Sequence, residues 1–170
     1  MLSLKTVYNH FASSRHSNWV MVPENAERLY RFVRENDIKQ ILDLGTGIGI
    51  SASVCALAFK DKGVEGARIH TVEQSEKCIK LAQKYIPEEL LSLIEFHLIE
   101  PTIWESKDIP YHFFSIYKEL PEQPEEGWDL IIVDGSGPFV IESNDEPRKV
   151  GEKKNLSQGI LPQEYREIQE

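Results

Sequence analysis

The chain has 170 residues, 41% hydrophobic and 28% charged, which suits one domain around one buried core and is too short for two ordinary domains. Lys and Arg total 19 against 28 Asp and Glu, a formal net charge of −9. That balance argues against a binder of nucleic-acid backbone, which needs a dominant basic surface.

The N-terminal stretch Met1–His10 lacks the apolar run and small-residue cleavage site of a secretory signal. Pro23-Glu24-Asn25 opens a helix with Ala26, Leu29, Tyr30 and Val33 at helical spacing. Asn36-Asp37 stops it. Ile38–Leu44 then reads as a strand whose short apolar run, Ile41, Leu42 and Leu44, suits burial on both faces of a parallel sheet. Gly45–Gly49 is a tight glycine loop, and the Ala- and Cys-rich Ile50–Phe59 is a buried helix. A polar turn, Lys60–Gly66, leads to a second strand, Ala67–Val72. Ser75–Ile86 is a helix with Cys78, Ile79, Ala82, Tyr85 and Ile86 on one face, ended by Pro87. Leu93–Ile99 is a third strand, and Trp128–Val133 a fourth that closes on Asp134-Gly135.

Strands separated by helix-sized segments imply βαβ units, hence a mostly parallel sheet with right-handed crossovers. Residues 20–140 form the core of a single domain spanning 1–170. Between Glu100 and Glu126, prolines at 101, 110, 121 and 124 interrupt the aromatic residues Trp104, Tyr111, Phe113, Phe114 and Tyr117, and a short helix and an extra strand fit equally. Pro138–Ser157 reads as a surface loop and Leu161–Ile168 as a last helix. The longest apolar runs, such as Leu130–Val133, fall far short of the roughly 20 residues of a membrane-spanning helix. Cys55 and Cys78 offer neither a disulfide framework nor metal-knuckle spacing. A cytoplasmic protein is expected.

The stretch Asp43-Leu44-Gly45-Thr46-Gly47-Ile48-Gly49 carries the functional reading. Its glycines follow a strand and precede a helix, so a ligand can lie against the backbone at the C-terminal end of the strand. The spacing is Gly-x-Gly-x-Gly, not the Gly-x-Gly-x-x-Gly of nicotinamide and flavin sites. Asp43 would repel a pyrophosphate and favour a cationic or hydroxyl-bearing ligand. Glu73, about 30 residues on and just after the second strand, is placed to accept hydrogen bonds from ribose hydroxyls. A phosphate-free nucleoside with an amino-acid tail satisfies both carboxylates. The bland alternatives are a ligand-free turn for the glycines, a solvated helix-start carboxylate for Glu73, and an Asp-Gly turn for Asp134. His97 and His112, the aromatic residues, and the basic cluster Arg148, Lys149, Lys153 and Lys154 read first as structural or solvated. His10, Arg15 and His16 have a second reading as an outer cap on the ligand site.

These residues resemble the class I S-adenosylmethionine-dependent methyltransferases, in particular small-molecule O-methyltransferase-like members. The likeness rests on Asp43 with the Gly45–Gly49 loop, on Glu73, and on Asp129–Gly135 as the fourth strand. The entry Val22-Pro23-Glu24-Asn25 before a helix extends it upstream. It implies a Rossmann-like three-layer α/β sandwich and S-adenosylmethionine as cofactor. Asp43, Gly45, Thr46, Gly47, Gly49 and Ile50 would hold the methionine part. Glu73 would hold the ribose, and Gln74, Ile99 and Glu100 the adenine. Asp134 would face the methyl or the acceptor, as a general base or, in a metal-dependent subgroup, a metal ligand.

The reaction implied is methyl transfer to an oxygen or nitrogen of a small molecule. The family's sheet has seven strands, against four legible here, so the fold is expected to be incomplete and no metal is expected. The fourth strand is left with an open edge. Residues 138–170 folding back, a second copy of the chain, or a shortened reading frame each account for it. The competing function is a non-catalytic methyltransferase-fold module serving as a binding or assembly subunit. A nicotinamide-dependent oxidoreductase is disfavoured by the glycine spacing.

Overall fold

The computed structural model describes residues 2–105, 112–134 and 139–140. The helix expected over Leu161–Ile168 and the basic cluster at 148–154 lie outside them, as do Tyr111 and Gly135.

Helix α1, Leu4–Ala12, is capped by Ser3, whose Oγ accepts the Thr6 N–H at 3.2 Å, and it buries Val7 and Phe11. A 3-10 turn at Ser17–Trp19 follows. Helix α2, Pro23–Glu35, starts on a proline whose missing N–H costs nothing in the first turn. Glu24 and Arg34 complement its dipole, and Ala26 and Val33, two turns apart, face the core. Strand β1 is Gln40–Leu44. Helix α3, Ile50–Lys62, is buried at every position from Ile50 to Phe59, packed by α1, α2, α5 and the second strand. Strand β2 is Arg68–Glu73, helix α4 Glu76–Tyr85, helix α5 Glu88–Leu91 and strand β3 Ile94–Leu98. Strands β4, Pro101–Glu105, and β5, His112–Tyr117, precede β6, Leu130–Val133, and β7, Phe139–Val140.

The principal sheet has the order β3-β2-β1-β6, with every neighbour parallel. The chain moves outward from β1 through β2 to β3 and returns on the other side of β1 as β6. That reversal makes the C-terminal end of β1 the topological switch point, where open α/β sheets bind ligands. One face, with Ile41, Ile69 and Ile94, shares a core with residues of α1 to α5. The other packs Leu42, Val72 and Ile99 against Leu44, Tyr117 and Trp128. Asp129 ties β6 to β1 by accepting the Lys39 and Gln40 N–H groups, each at 2.8 Å.

The α/β parallel architecture agrees with the sequence expectation, with each strand boundary within two residues. Among the described residues of the 100–126 segment, two strands form, β4 and β5, rather than a short helix. A three-stranded sheet, β4-β5-β7, has β5 and β7 antiparallel, with His112 opposite Val140. Of the loop expected over Pro138–Ser157, residues 139–140 are described, and they form β7. The chain divides into two units; the described residues of the first are 2–103 and 115–134, and those of the second are 104–105, 112–114 and 139–140. No described helix is long and apolar enough to cross a membrane.

Candidate functional site

The ten residues from Asp43 to Glu100 expected to hold a ligand gather, with Asp134, at the C-terminal ends of the parallel strands. The loop after β1 bends back so that the Gly45 and Thr46 N–H groups both donate to the Val72 carbonyl, at 3.0 and 3.1 Å. Gly47 N–H donates to Glu73 Oε2 at 3.0 Å. Glu73 Oε1 accepts from Gln74 and Ser75 N–H, at 2.9 and 3.0 Å. One carboxylate thus clamps the glycine bend to the start of α4. Ile99 N–H donates to the Glu73 carbonyl at 2.9 Å, and the Glu100 carbonyl accepts from Lys118 N–H, which brings the end of β3 to the same rim. Asp134 N–H donates to the Leu44 carbonyl at 2.9 Å.

Two glycines explain the bend. Gly49, at φ +92°, caps α3, and a Cβ there would sit 2.7 Å from Ile86 Cδ1. Gly47, at φ +53°, is different, since a Cβ there would meet nothing within 4 Å. Its backbone therefore borders open space at the N-terminus of α3, where partial positive charge favours an anionic group.

Asp43 is fully buried beneath the bend. Its Oδ2 accepts from Ser51 Oγ and Thr71 Oγ1, each at 2.9 Å, and Thr46 Oγ1 lies 2.7 Å from Thr71 Oγ1. Its Oδ1 is the only buried side-chain polar atom without a hydrogen-bond partner among the described residues. Burial pushes the Asp43 carboxyl up to about 7, against the two hydroxyl hydrogen bonds that favour the anion, with Asp134 and Glu73 adding repulsion. Asp134 keeps solvent access, and partial desolvation at the strand ends raises its carboxyl as well.

Two participants were not singled out in the sequence, and a third, Tyr117, was read there only as a structural aromatic. Ser51 and Thr71 complete the Asp43 network; a threonine next to the end of the second strand and a serine in an Ala-rich helix were the available signals. Tyr117 donates its hydroxyl to the Val72 carbonyl at 3.2 Å. Desolvation, then the charges of Glu73 and Asp43, push its phenol upward. His10 Nε2 meets the Tyr85 carbonyl at 3.0 Å, His16 packs its ring edge-on to Tyr85, and Arg15 donates to His16, so all three sit by the end of α4. His97 pairs with His70.

An open glycine backbone and a helix N-terminus at one rim, with an unpartnered carboxylate oxygen buried beneath them, suit a ligand carrying an ammonium and a carboxylate. This is the class I methyltransferase fold. Among solved structures, the O-methyltransferase TomG from Streptomyces achromogenes, involved in tomaymycin synthesis and crystallised with SAM, aligns at TM-score 0.51 and 18% identity. The alignment covers 78% of this chain and 52% of that one, so the chain spans about half the length of this relative. The SAH-bound methyltransferase PaMTH1 from Podospora anserina matches at TM-score 0.46 and 18% identity over 55% and 39% of the two chains. An O-methyltransferase from Bacillus cereus in complex with SAH matches at TM-score 0.43 and 26% identity over 56% and 42%. No family model matches the chain, and no curated protein does.

Proposed function

We propose that the chain binds S-adenosylmethionine and transfers its methyl group to an oxygen or nitrogen of a small molecule. One observation carries the reading: Glu73 is tied to Gly47 at 3.0 Å, directly above the buried Asp43, whose Oδ1 lies unpartnered beneath the bend. TomG, which shares the fold, was crystallised with SAM, and this supports the choice of cofactor.

In this reading the α3 N-terminus receives the methionine carboxylate and Asp43 Oδ1 faces the ammonium, directly or through water. Glu73 uses three of its roughly four acceptor directions on backbone N–H groups. The remaining direction on Oε2 serves a ribose hydroxyl, and Gln74, Ile99 and Glu100 border the adenine. The bound sulfonium supplies an already activated methyl, so positioning does much of the work. Asp134, its carboxyl raised by desolvation, takes the proton from an acceptor hydroxyl.

Calorimetric titration with S-adenosylmethionine and S-adenosylhomocysteine, with NAD as control, tests the binding. Saturable heat with both sulfur nucleosides and none with NAD is expected; silence with both rejects it. Transfer of radiolabelled methyl into a metabolite extract tests turnover.

A second reading, an assembly subunit without turnover, draws on Ile131 and Val133 of β6, which are 52% and 72% exposed. It predicts cofactor binding without label transfer, and a complex that Val133→Lys disrupts.

A further inference from the structure

A second cluster of chemically competent side chains lies on the sheet face opposite Asp43. His70 on β2 is in register with Glu95 on β3, and His97 follows two residues later on the same face. His70 Nδ1 and His97 Nε2 are 3.1 Å apart, with the rings stacked at 5.3 Å between centroids. Glu95 Oε1 lies 3.5 Å from His97 Nε2, and Glu95 Oε2 lies 3.8 Å from His70 Nδ1. Among the described residues, no other group of His, Cys, Asp or Glu brings three donor atoms together in this way.

We propose that His70, Glu95 and His97 form a binding site for a divalent first-row transition-metal ion of the zinc class. A zinc ion holds such ligands at about 2.0–2.1 Å in a tetrahedron, so its donor atoms stand roughly 3.3 Å from one another. The imidazole pair, at 3.1 Å, lies close to that value, each ring has a Glu95 oxygen at 3.5 or 3.8 Å, and one donor atom from each of the three residues falls within 4.8 Å of the other two. Two imidazoles and one carboxylate are a borderline N/O donor set, suited to zinc, cobalt and nickel. Strand register fixes the spacing before any ion arrives, and the Trp128 ring, edge-on at 5.1 Å, shelters His70. The histidine side chains are 16% and 21% exposed and Glu95 is 56% exposed, so the cluster has one open side for entry and for a further ligand. The proposal does not rest on the methyltransferase reading, since the cluster shares no residue with the glycine rim.

Without an ion, the same atoms form a plain histidine-to-histidine hydrogen bond beside a glutamate, and the test must separate the two. Untagged, chelator-treated protein is titrated at neutral pH with zinc chloride by calorimetry and with cobalt chloride by visible absorption. One equivalent of each is expected to bind, cobalt giving ligand-field bands of a site with nitrogen ligands. Two histidine rings are expected to shift in nitrogen-correlated NMR. His97→Gln is expected to weaken binding by about 100-fold or more, beyond what loss of an outer partner costs. Glu95→Gln, a change at an exposed side chain, should weaken it at least about tenfold with the circular dichroism of the metal-free protein unchanged. Absence of saturable binding to the wild-type protein overturns the proposal. So does binding that the Glu95 variant, shown to be folded, leaves unchanged.

Discussion

Asp43 and Glu73 do different work although both are carboxylates beside the same bend. Glu73 is anchored by three N–H donors and holds the loop against α4. Replacing it by Gln removes the charge and one acceptor. The S-adenosylhomocysteine affinity is expected to fall roughly 10- to 100-fold, the range of a lost charged hydrogen bond, as calorimetry would read. Asp43 is held by two hydroxyls, yet burial raises it to about 7. Between the ordinary aspartate range and that value, the folded chain binds a proton that the unfolded chain does not. Its contribution to stability is therefore highest below about pH 4 and is lost as pH rises through about 7. Urea midpoints at pH 5 and 8 check this. Relative to Asp43→Asn, the wild type should lose stability across that interval by an amount on the order of a few kcal/mol. Parallel pH profiles would remove Asp43 as the cause. The sequence disclosed both carboxylates because each follows or ends a strand. It did not disclose their partners: Thr71 lies 28 positions from Asp43 and meets it only through β1–β2 register.

At the scale of elements, Gly47 within the bend and Gly49 at its end make opposite demands. Gly49→Ala forces a methyl 2.7 Å from Ile86 Cδ1 at φ +92°, and an expected cost of about 2 kcal/mol or more combines left-handed strain with repacking of α4. Gly47→Ala meets no atom within 4 Å, so only about 1 kcal/mol of backbone strain is expected. Its methyl instead occupies the space assigned to the ligand. Thermal melts and calorimetry on the two variants should therefore dissociate, Gly49→Ala losing mainly stability and Gly47→Ala mainly affinity. A Gly47→Ala protein that binds S-adenosylhomocysteine normally would place the ligand elsewhere. The β1–loop–α3 unit was readable because an apolar run, alternating glycines and an Ala-rich helix agree with one another. Helix α1 is legible too, with Leu4, Val7, Tyr8 and Phe11 at helical spacing behind Ser3. Strands β4 and β5 were harder to read because prolines at 101, 110, 121 and 124 surround them and His112–Tyr117 shows no apolar–polar alternation.

At the scale of the whole molecule, a chain of net charge −9 places Asp43, Glu73 and Asp134 at one end of its sheet, around the switch point made by the reversal of strand order. Asp134 and Glu73 both push the Asp43 proton affinity upward, so the rim stores unfavourable negative potential. A ligand that brings an ammonium and a sulfonium relieves it, and linkage is reciprocal: whatever the cation does to the Asp43 proton, the proton does to the cation. S-adenosylmethionine binding should therefore expel a proton from Asp43 near neutral pH and tighten as pH rises toward about 7. Calorimetry in two buffers of different ionisation enthalpy reads this directly. Up to about three-quarters of a proton per ligand is expected to leave the wild-type protein near pH 6.5, and almost none the Asp43→Asn variant. S-adenosylhomocysteine, which lacks the sulfonium charge, should show a smaller preference for the ionised rim. A binding enthalpy independent of buffer in the wild type would mean that the Asp43 proton stays in place, and that the amino-acid tail is held by the α3 N-terminus alone.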